Sequence, residues 1–102
     1  KLLKKLTKRE DLGKKRADIY NLLGFSYRKL ENPDLDKSFA AYMMAIEIDP
    51  SHLGAHEYLG ELYLMRDQED KALLMLEKIV QLAGINTEEY KDLKNAIDEY
   101  QS

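Results

Sequence analysis

The sequence predicts an all-α fold in which antiparallel helix-turn-helix units stack on one another and a C-terminal helix caps the stack. Two observations support this prediction. The 102 residues include only five glycines and two prolines, which leaves long stretches free to form helices. Apolar residues recur at helical spacing, and the pattern of one helix pair returns in the next pair. An apolar content of 44% and a charged content of 34% are typical of a folded chain with a charged surface.

A pattern in the first half of the chain returns in the second half. Residues 20–27 match residues 56–63 at an offset of 36, so that a Leu-Gly pair occupies the same place in both segments. Further along the offset is 34, and the matched residues are Ser38, Tyr42 and Ala45 with Ala72, Leu76 and Ile79. Two extra residues in the turn at 31–34 explain the difference between the offsets. The repeating unit is therefore a pair of helices.

The spacing predicts five helices in order. Their predicted bounds are 17–30, 35–48, 52–66, 69–83 and 87–100. Pro50 ends the second helix, because the residue before a proline disfavours the helical conformation, and Ser51 is expected to cap the third helix. The fifth helix begins near Asn86 or Thr87, where the acidic residues that follow complement the helix dipole. Its apolar face consists of Tyr90, Leu93, Ile97 and Tyr100.

Two glycines lie in the middle of predicted helices, at Gly24 and Gly60. A glycine there costs about 1 kcal/mol relative to alanine, so both positions need a packing reason. The absence of a Cβ lets a partner helix approach the backbone closely. The facing helices carry the small residues Ser38, Ala45 and Ala72, which favour the same close approach.

The first 16 residues differ from the rest in charge. They carry eight Lys or Arg against two acids, whereas the remaining residues carry eight against seventeen. Leu2, Leu3 and Leu6 form a short apolar stripe, which favours a helix of a degenerate upstream repeat over an interfacial membrane helix. We therefore predict an N-terminal helix, two repeats and a capping helix. Their bounds are 1–16, 17–52, 53–84 and 85–102.

These positions resemble the tetratricopeptide repeat family, whose pattern places a bulky residue, Leu-Gly and Tyr on one helix and a small residue, an aromatic residue and a proline on the next. The first copy supplies Tyr20, Leu23, Gly24, Tyr27, Ser38, Tyr42, Ala45 and Pro50. The second copy supplies His56, Leu59, Gly60, Tyr63, Ala72 and Leu76, with Gly84 where the proline would fall. His56, Leu76 and Ile79 depart from the pattern. The resemblance covers about residues 17–84.

Residues 53–63 and 88–94 are also similar to a subgroup of small bacterial members of this family. The resemblance implies export to the periplasm as an alternative to a cytoplasmic location. Members of the subgroup often carry a cysteine pair before the final helix, and the matching positions here are Ala83 and Thr87.

The sequence predicts neither an enzyme nor a cofactor or metal site. The chain has no cysteine, which excludes disulfides, thiolate ligands and a cysteine nucleophile. His52 and His56 are four residues apart, but no His-Glu-x-x-His motif or third ligand accompanies them. Paired acids at 69–70, 88–89 and 98–99 fit helix starts and polar faces better than acid–base catalysis. No phosphate-binding loop or nucleophile elbow is present.

The family resemblance implies that a partner binds along the concave surface formed by the first helix of each pair. The predicted partner-binding residues are Asp18, Asn21, Phe25, Arg28 and Lys29 in the first copy and Glu57, Glu61, Leu64 and Met65 in the second. Phe25, Leu64 and Met65 would be unusually apolar for exposed positions, and exposed apolar clusters mark interfaces. We predict a scaffold that binds an extended or helical protein segment, with an apolar anchor and a basic residue facing Glu57 and Glu61.

Other partners fit the sequence less well. The concave surface could be free of any partner or covered by the N-terminal helix. Self-assembly into a homo-oligomer is the alternative function. Capture of a chaperone's C-terminal carboxylate is disfavoured, since Asn21 alone is of the required type. Nucleic-acid binding through the basic N-terminal residues and membrane binding are both disfavoured. No apolar run approaches the roughly 18 residues needed to span a bilayer.

Overall fold

The computed structural model describes the backbone of residues 2–102 and the side chains of residues 10–102. This part of the chain forms five α-helices joined by short turns. They are α1 (Leu2–Arg28), α2 (Leu35–Ile48), α3 (Leu53–Met65), α4 (Glu69–Ala83) and α5 (Glu88–Gln101). The all-α fold of stacked helix pairs is confirmed. None of these helices combines the length and the apolar character that crossing a membrane requires.

The predicted bounds of α2 and α4 are confirmed, and those of α3 and α5 differ by one residue at each end. Thr87 caps α5, with its Oγ1 accepting the backbone N–H of Tyr90 at 3.0 Å. The predicted cap of α3 is wrong. His52, not Ser51, caps this helix, because its Nδ1 accepts the N–H of Ala55 at 3.0 Å while Ser51 Oγ donates to Asp49 at 2.8 Å.

The first helix is longer than predicted. It runs without a break from Leu2 to Arg28, so residues 2–16 continue α1 instead of forming a separate helix. Gly13 is the sole glycine before the Leu-Gly pair, and one such residue costs only about 1 kcal/mol, which is too little to end a helix that lacks a proline. The stripe of Leu2, Leu3 and Leu6 lies outside the described side chains.

The two helices of each pair are antiparallel, and both predicted glycines lie where another helix approaches closely. At Gly24 the ring of Tyr42 on α2 fills the space that a Cβ would need, and Ser38 Oγ donates to the Gly24 carbonyl at 2.7 Å. At Gly60 the side chain that approaches belongs to Leu93 on α5. Close approach is therefore confirmed at both positions, although at Gly60 it comes from the next helix along the stack and not from its own pair.

Helix α5 follows the second repeat in the position that the first helix of a third pair would have. It packs against α3 as α3 packs against α1. Leu93 follows Leu59 by the repeat offset of 34, and it is buried in one cluster with Leu64, Ala72, Ile79 and Ile97. A second cluster joins Tyr42 of α2 to Leu59 and Leu62 of α3. The core is thus a continuous line of contacts along the stack, and α1, α3 and α5, which we call the first helices, share one side of it.

Candidate partner-binding groove

An open groove of about 430 Å³ lies where the C-terminal ends of the three first helices meet. It is lined by Arg28 and Lys29 at the end of α1, by Glu61, Leu64 and Met65 of α3, and by Ala96, Glu99 and Tyr100 of α5. Five of the nine sequence-predicted residues therefore lie together. The three residues from α5 were missed, and the offset of 34 that equates Leu93 with Leu59 is the signal that could have placed α5 beside α3.

Arg28 is the most constrained residue of this groove. It is buried, its Nη2 donates to Glu61 Oε1 at 3.2 Å, and its Nη1 donates to the carbonyl of Tyr58 at 3.5 Å. The guanidinium carbon lies 5.3 Å from the ring centroid of Phe25 and 5.4 Å from that of Tyr58. These contacts hold α1 to α3 and neutralise the charge of Glu61.

The apolar residues of the predicted site divide into two groups. Phe25 is half-buried, with its ring centroid 5.0 Å from that of Tyr58, and Leu64 is buried in the core beside Leu93. Their predicted exposure is therefore wrong, because the stripe that carries them faces the neighbouring first helix. Met65 is 49% exposed, as predicted, and Tyr100 of α5 adds a second exposed apolar side chain to the groove.

The two glutamates of α3 do not present two free charges. Glu57 is buried, and the pKa of its carboxyl is raised to about 9 by that burial, by a hydrogen bond with Glu61 and by the negative charges of Glu61, Asp92 and Glu89. The raised pKa therefore favours the neutral form of Glu57 at pH 7. Since Glu61 is already paired with Arg28, the prediction that both acids face a basic residue of the partner is wrong.

The remaining predicted residues lie away from the groove, toward the N-terminal end of α3. Asp18 Oδ1 bonds to His52 Nε2 at 2.6 Å. Asn21 is buried, and a Cβ added to Gly54 would lie 3.0 Å from its Nδ2, so Asn21 packs closely between α1 and α3. This half of the stripe consists of helix–helix contacts.

The histidine pair is also engaged in local contacts. His52 uses both ring nitrogens, for the cap of α3 and for Asp18, and His56 Nδ1 bonds to the carbonyl of His52 at 2.7 Å. Among the described residues, no group of three or more His, Cys, Asp or Glu is arranged to hold a metal ion.

Comparison with known proteins points to a single family. The family model described as tetratricopeptide repeat matches residues 41–74. The chain is 34% identical over 70 residues, 69% of its length, to "Uncharacterized protein ycf37" of Porphyra purpurea. It is 33% identical over 64 residues, 63% of its length, to "Tetratricopeptide repeat domain-containing protein PYG7, chloroplastic" of Arabidopsis thaliana. No solved structure matches.

The matched regions are only part of these relatives. They cover 39% of the Porphyra protein and 21% of the Arabidopsis protein. One relative comes from an alga and the other from a plant. They therefore give no support to the resemblance to bacterial members that the sequence suggested.

Proposed function

Because this chain is a tetratricopeptide repeat protein, we propose that it binds a segment of another protein in the groove between the C-terminal ends of α1, α3 and α5. Repeats of this family generally mediate protein–protein interactions. The observation that carries the proposal is the groove itself, because it is open to solvent and exposes Met65 and Tyr100 beside charged side chains. Exposed apolar residues within a polar rim are characteristic of protein-binding surfaces.

The chemistry of the groove suggests which segment fits. Met65, Ala96 and Tyr100 offer an apolar surface for one anchoring side chain. Lys29 and Glu99, both exposed, add one positive and one negative charge to the lining. These charges would orient a segment that carries an acid on one side of its anchor and a base on the other.

The other predicted residues, among them Arg28 in the wall of the groove, have a supporting role in this proposal. Arg28 and Phe25 hold α1 against α3 through Glu61 and Tyr58, and Glu57 is buried one turn before Glu61 on α3. Asp18 and Asn21 make contacts at the far end of the same helix interface. A partner would therefore contact Lys29, Met65, Glu99 and Tyr100 directly and depend on the others for the shape of the site.

A pair of exposed methionines provides the test. A photo-crosslinking amino acid is placed at Met65 or, as the control, at Met43 on α2, which is 43% exposed and lies outside the groove. We expect crosslinks to a discrete partner in cells from Met65 and not from Met43, and we expect Tyr100→Glu to abolish them. Equal crosslinking from the two positions would contradict the proposed groove.

A further inference from the structure

A second surface, which no described helix covers, lies at the opposite end of the stack, on the outer side of α1 and α2. We call it the end face. Leu23 and Met44 are 41% and 39% exposed there, around a shallow cavity of about 270 Å³. The cavity is lined by Tyr20, Leu23, Tyr27, Lys37, Ala40, Ala41 and Met44. None of these residues contributes to the groove proposed above.

The second repeat has the equivalent face, and there a helix covers it. Leu59 is equivalent to Leu23 but is only 1% exposed, because it is buried with Tyr42 of α2. The residues of α2 that pack into this cluster are Leu35, Phe39, Tyr42 and Ile46, at spacings of four, three and four. Met75, the equivalent of Ala41, packs against the same cluster. The molecule thus contains an example of the kind of helix that its end face fits.

The polar surroundings of the two faces also correspond. Lys37 Nζ lies 5.7 Å from the ring centroid of Tyr27, and Lys71 Nζ lies 5.7 Å from that of Tyr63. On the covered face, the covering helix α2 brings Asp36 to Arg66, with the two side chains 2.5 Å apart. An acid on the covering helix is therefore part of the existing contact.

The charges of the end face favour an acidic partner over a second copy of this chain. Lys37 lies in its cavity, and Arg16 lies one turn before Tyr20 on the same side of α1. Glu47, one turn after Met44 on α2, is an exposed acid on the same side, but the two cations outnumber it. Two copies of this face would therefore each bring a net positive charge, whereas a helix with acids beside its apolar stripe would be attracted.

We propose that the end face binds an amphipathic helix of another protein, which carries large apolar residues at four-three-four spacing and acidic residues beside them. Such a helix would take the position on the first repeat that α2 takes on the second. Leu23 and Met44 would become buried, and Arg16 and Lys37 would face its acids.

The chain supplies a probe for this surface. A fluorescently labelled synthetic peptide of residues 34–49 carries the stripe of α2 together with Asp34, Asp36, Glu47 and Asp49. Its affinity for the full chain is measured by fluorescence anisotropy. We expect Leu23→Glu to raise the Kd at least tenfold, about 1.4 kcal/mol, since it places an acid in the apolar contact. Leu74→Glu, at an exposed leucine of α4, is the control and should leave the Kd unchanged.

Charge is tested on the peptide. Replacing Asp36 by Asn and Glu47 by Gln should weaken binding, and the difference should shrink as salt is added. Circular dichroism checks that each protein variant is folded, which is expected because Leu23 and Leu74 are both exposed.

Three outcomes would overturn the proposal. The first is the absence of binding at millimolar peptide, and the second is a Kd that Leu23→Glu does not change. The third is a dimer of the wild-type chain in light scattering that Leu23→Glu dissociates, because it would assign the end face to a second copy. The crosslinking test of the groove uses other residues, so either proposal can fail alone.

Discussion

The first and second repeats carry nearly the same pattern in different surroundings. Leu23 and Leu59 occupy equivalent positions, yet the first is 41% exposed and the second 1% exposed. The difference arises because α2 precedes α3 in the stack, while no described helix covers the outer side of α1. In a stacked array, the neighbour therefore decides what a repeat position contributes to stability.

Along the stripe that carries the predicted partner-binding residues, the two repeats differ in side-chain chemistry but not in burial. Asn21 and Glu57 are equivalent and both buried, and so are Arg28 and Leu64. An amide in the first repeat thus corresponds to an acid in the second, and a cation corresponds to an aliphatic side chain. The second repeat can keep a buried acid because burial and the neighbouring acids raise the pKa of Glu57 and so favour its neutral form. Burial is conserved between the repeats while charge is not, which leaves each repeat free to shape its own part of the surface.

Truncation of the two equivalent leucines should give the largest contrast. Leu59→Ala should lower the free energy of unfolding by about 2–5 kcal/mol, because it leaves a cavity in the packed contact between α2 and α3. Leu23→Ala should cost less than about 1 kcal/mol, because that side chain is half in solvent. Urea unfolding followed by circular dichroism measures both. Losses of similar size would mean that the two faces are equally covered in solution.

Alanine in place of three of the helix glycines should give a smaller, graded series of stability changes. A Cβ at Gly24 would lie 2.5 Å from the buried ring of Tyr42, and Gly24→Ala should cost about 1–3 kcal/mol. At Gly60 the obstacle is a methyl group of Leu93 at 2.7 Å, which can move more easily than a ring, so the loss should be smaller. Among the described residues, no atom outside the local helix backbone lies within 4 Å of a Cβ added at Gly13, so Gly13→Ala should stabilise α1 by roughly 0.5–1 kcal/mol.

Thermal and urea unfolding of the three glycine variants measure the order of their stabilities. If Gly24→Ala proved as stable as Gly13→Ala, the close contact between Gly24 and Tyr42 would be disproved.

The buried acid of the second repeat should make stability depend on pH. A carboxyl whose pKa is raised from 4.5 to about 9 takes up a proton on folding. Its stabilising contribution is therefore complete below pH 4.5 and is lost as the pH rises toward 9. Glu57→Gln keeps a donor for Glu61 without the charge, so it should be more stable than the wild type at pH 8 by about 1 kcal/mol or more.

Urea unfolding between pH 5 and 9 tests this difference. The wild type should lose stability across the range, and Glu57→Gln should follow a flatter curve. Glu47→Gln, at an exposed position of α2, is the matched control and should follow the wild type. A wild-type curve that rises with pH would contradict a protonated Glu57.

Local features of the fold were predictable because their causes lie within a few residues. The turn at Pro50, the cap at Thr87 and the apolar spacing place the bounds of α2, α3, α4 and α5 to within one residue. The candidate site was predictable in part, since helical spacing puts Lys29, Glu61 and Met65 on the side of the helices that forms the groove. Helical spacing alone could not place Tyr100 or Glu99 in the site, because the position of α5 depends on contacts with α3 between residues distant in the sequence.

The sequence by itself determined the repeating helix pairs, the places of close approach at Gly24 and Gly60, and the absence of cysteine chemistry. These follow from periodicity, turn residues and composition, which act locally. The tertiary structure decided which polar residues are buried, which charge remains free and which leucine is covered. The burial of Arg28 and much of the rise in the pKa of Glu57 require α1, α3 and α5 to lie side by side. Arg28 meets Glu61, and Glu57 is desolvated near Asp92 and Glu89, across more than 30 residues of the sequence.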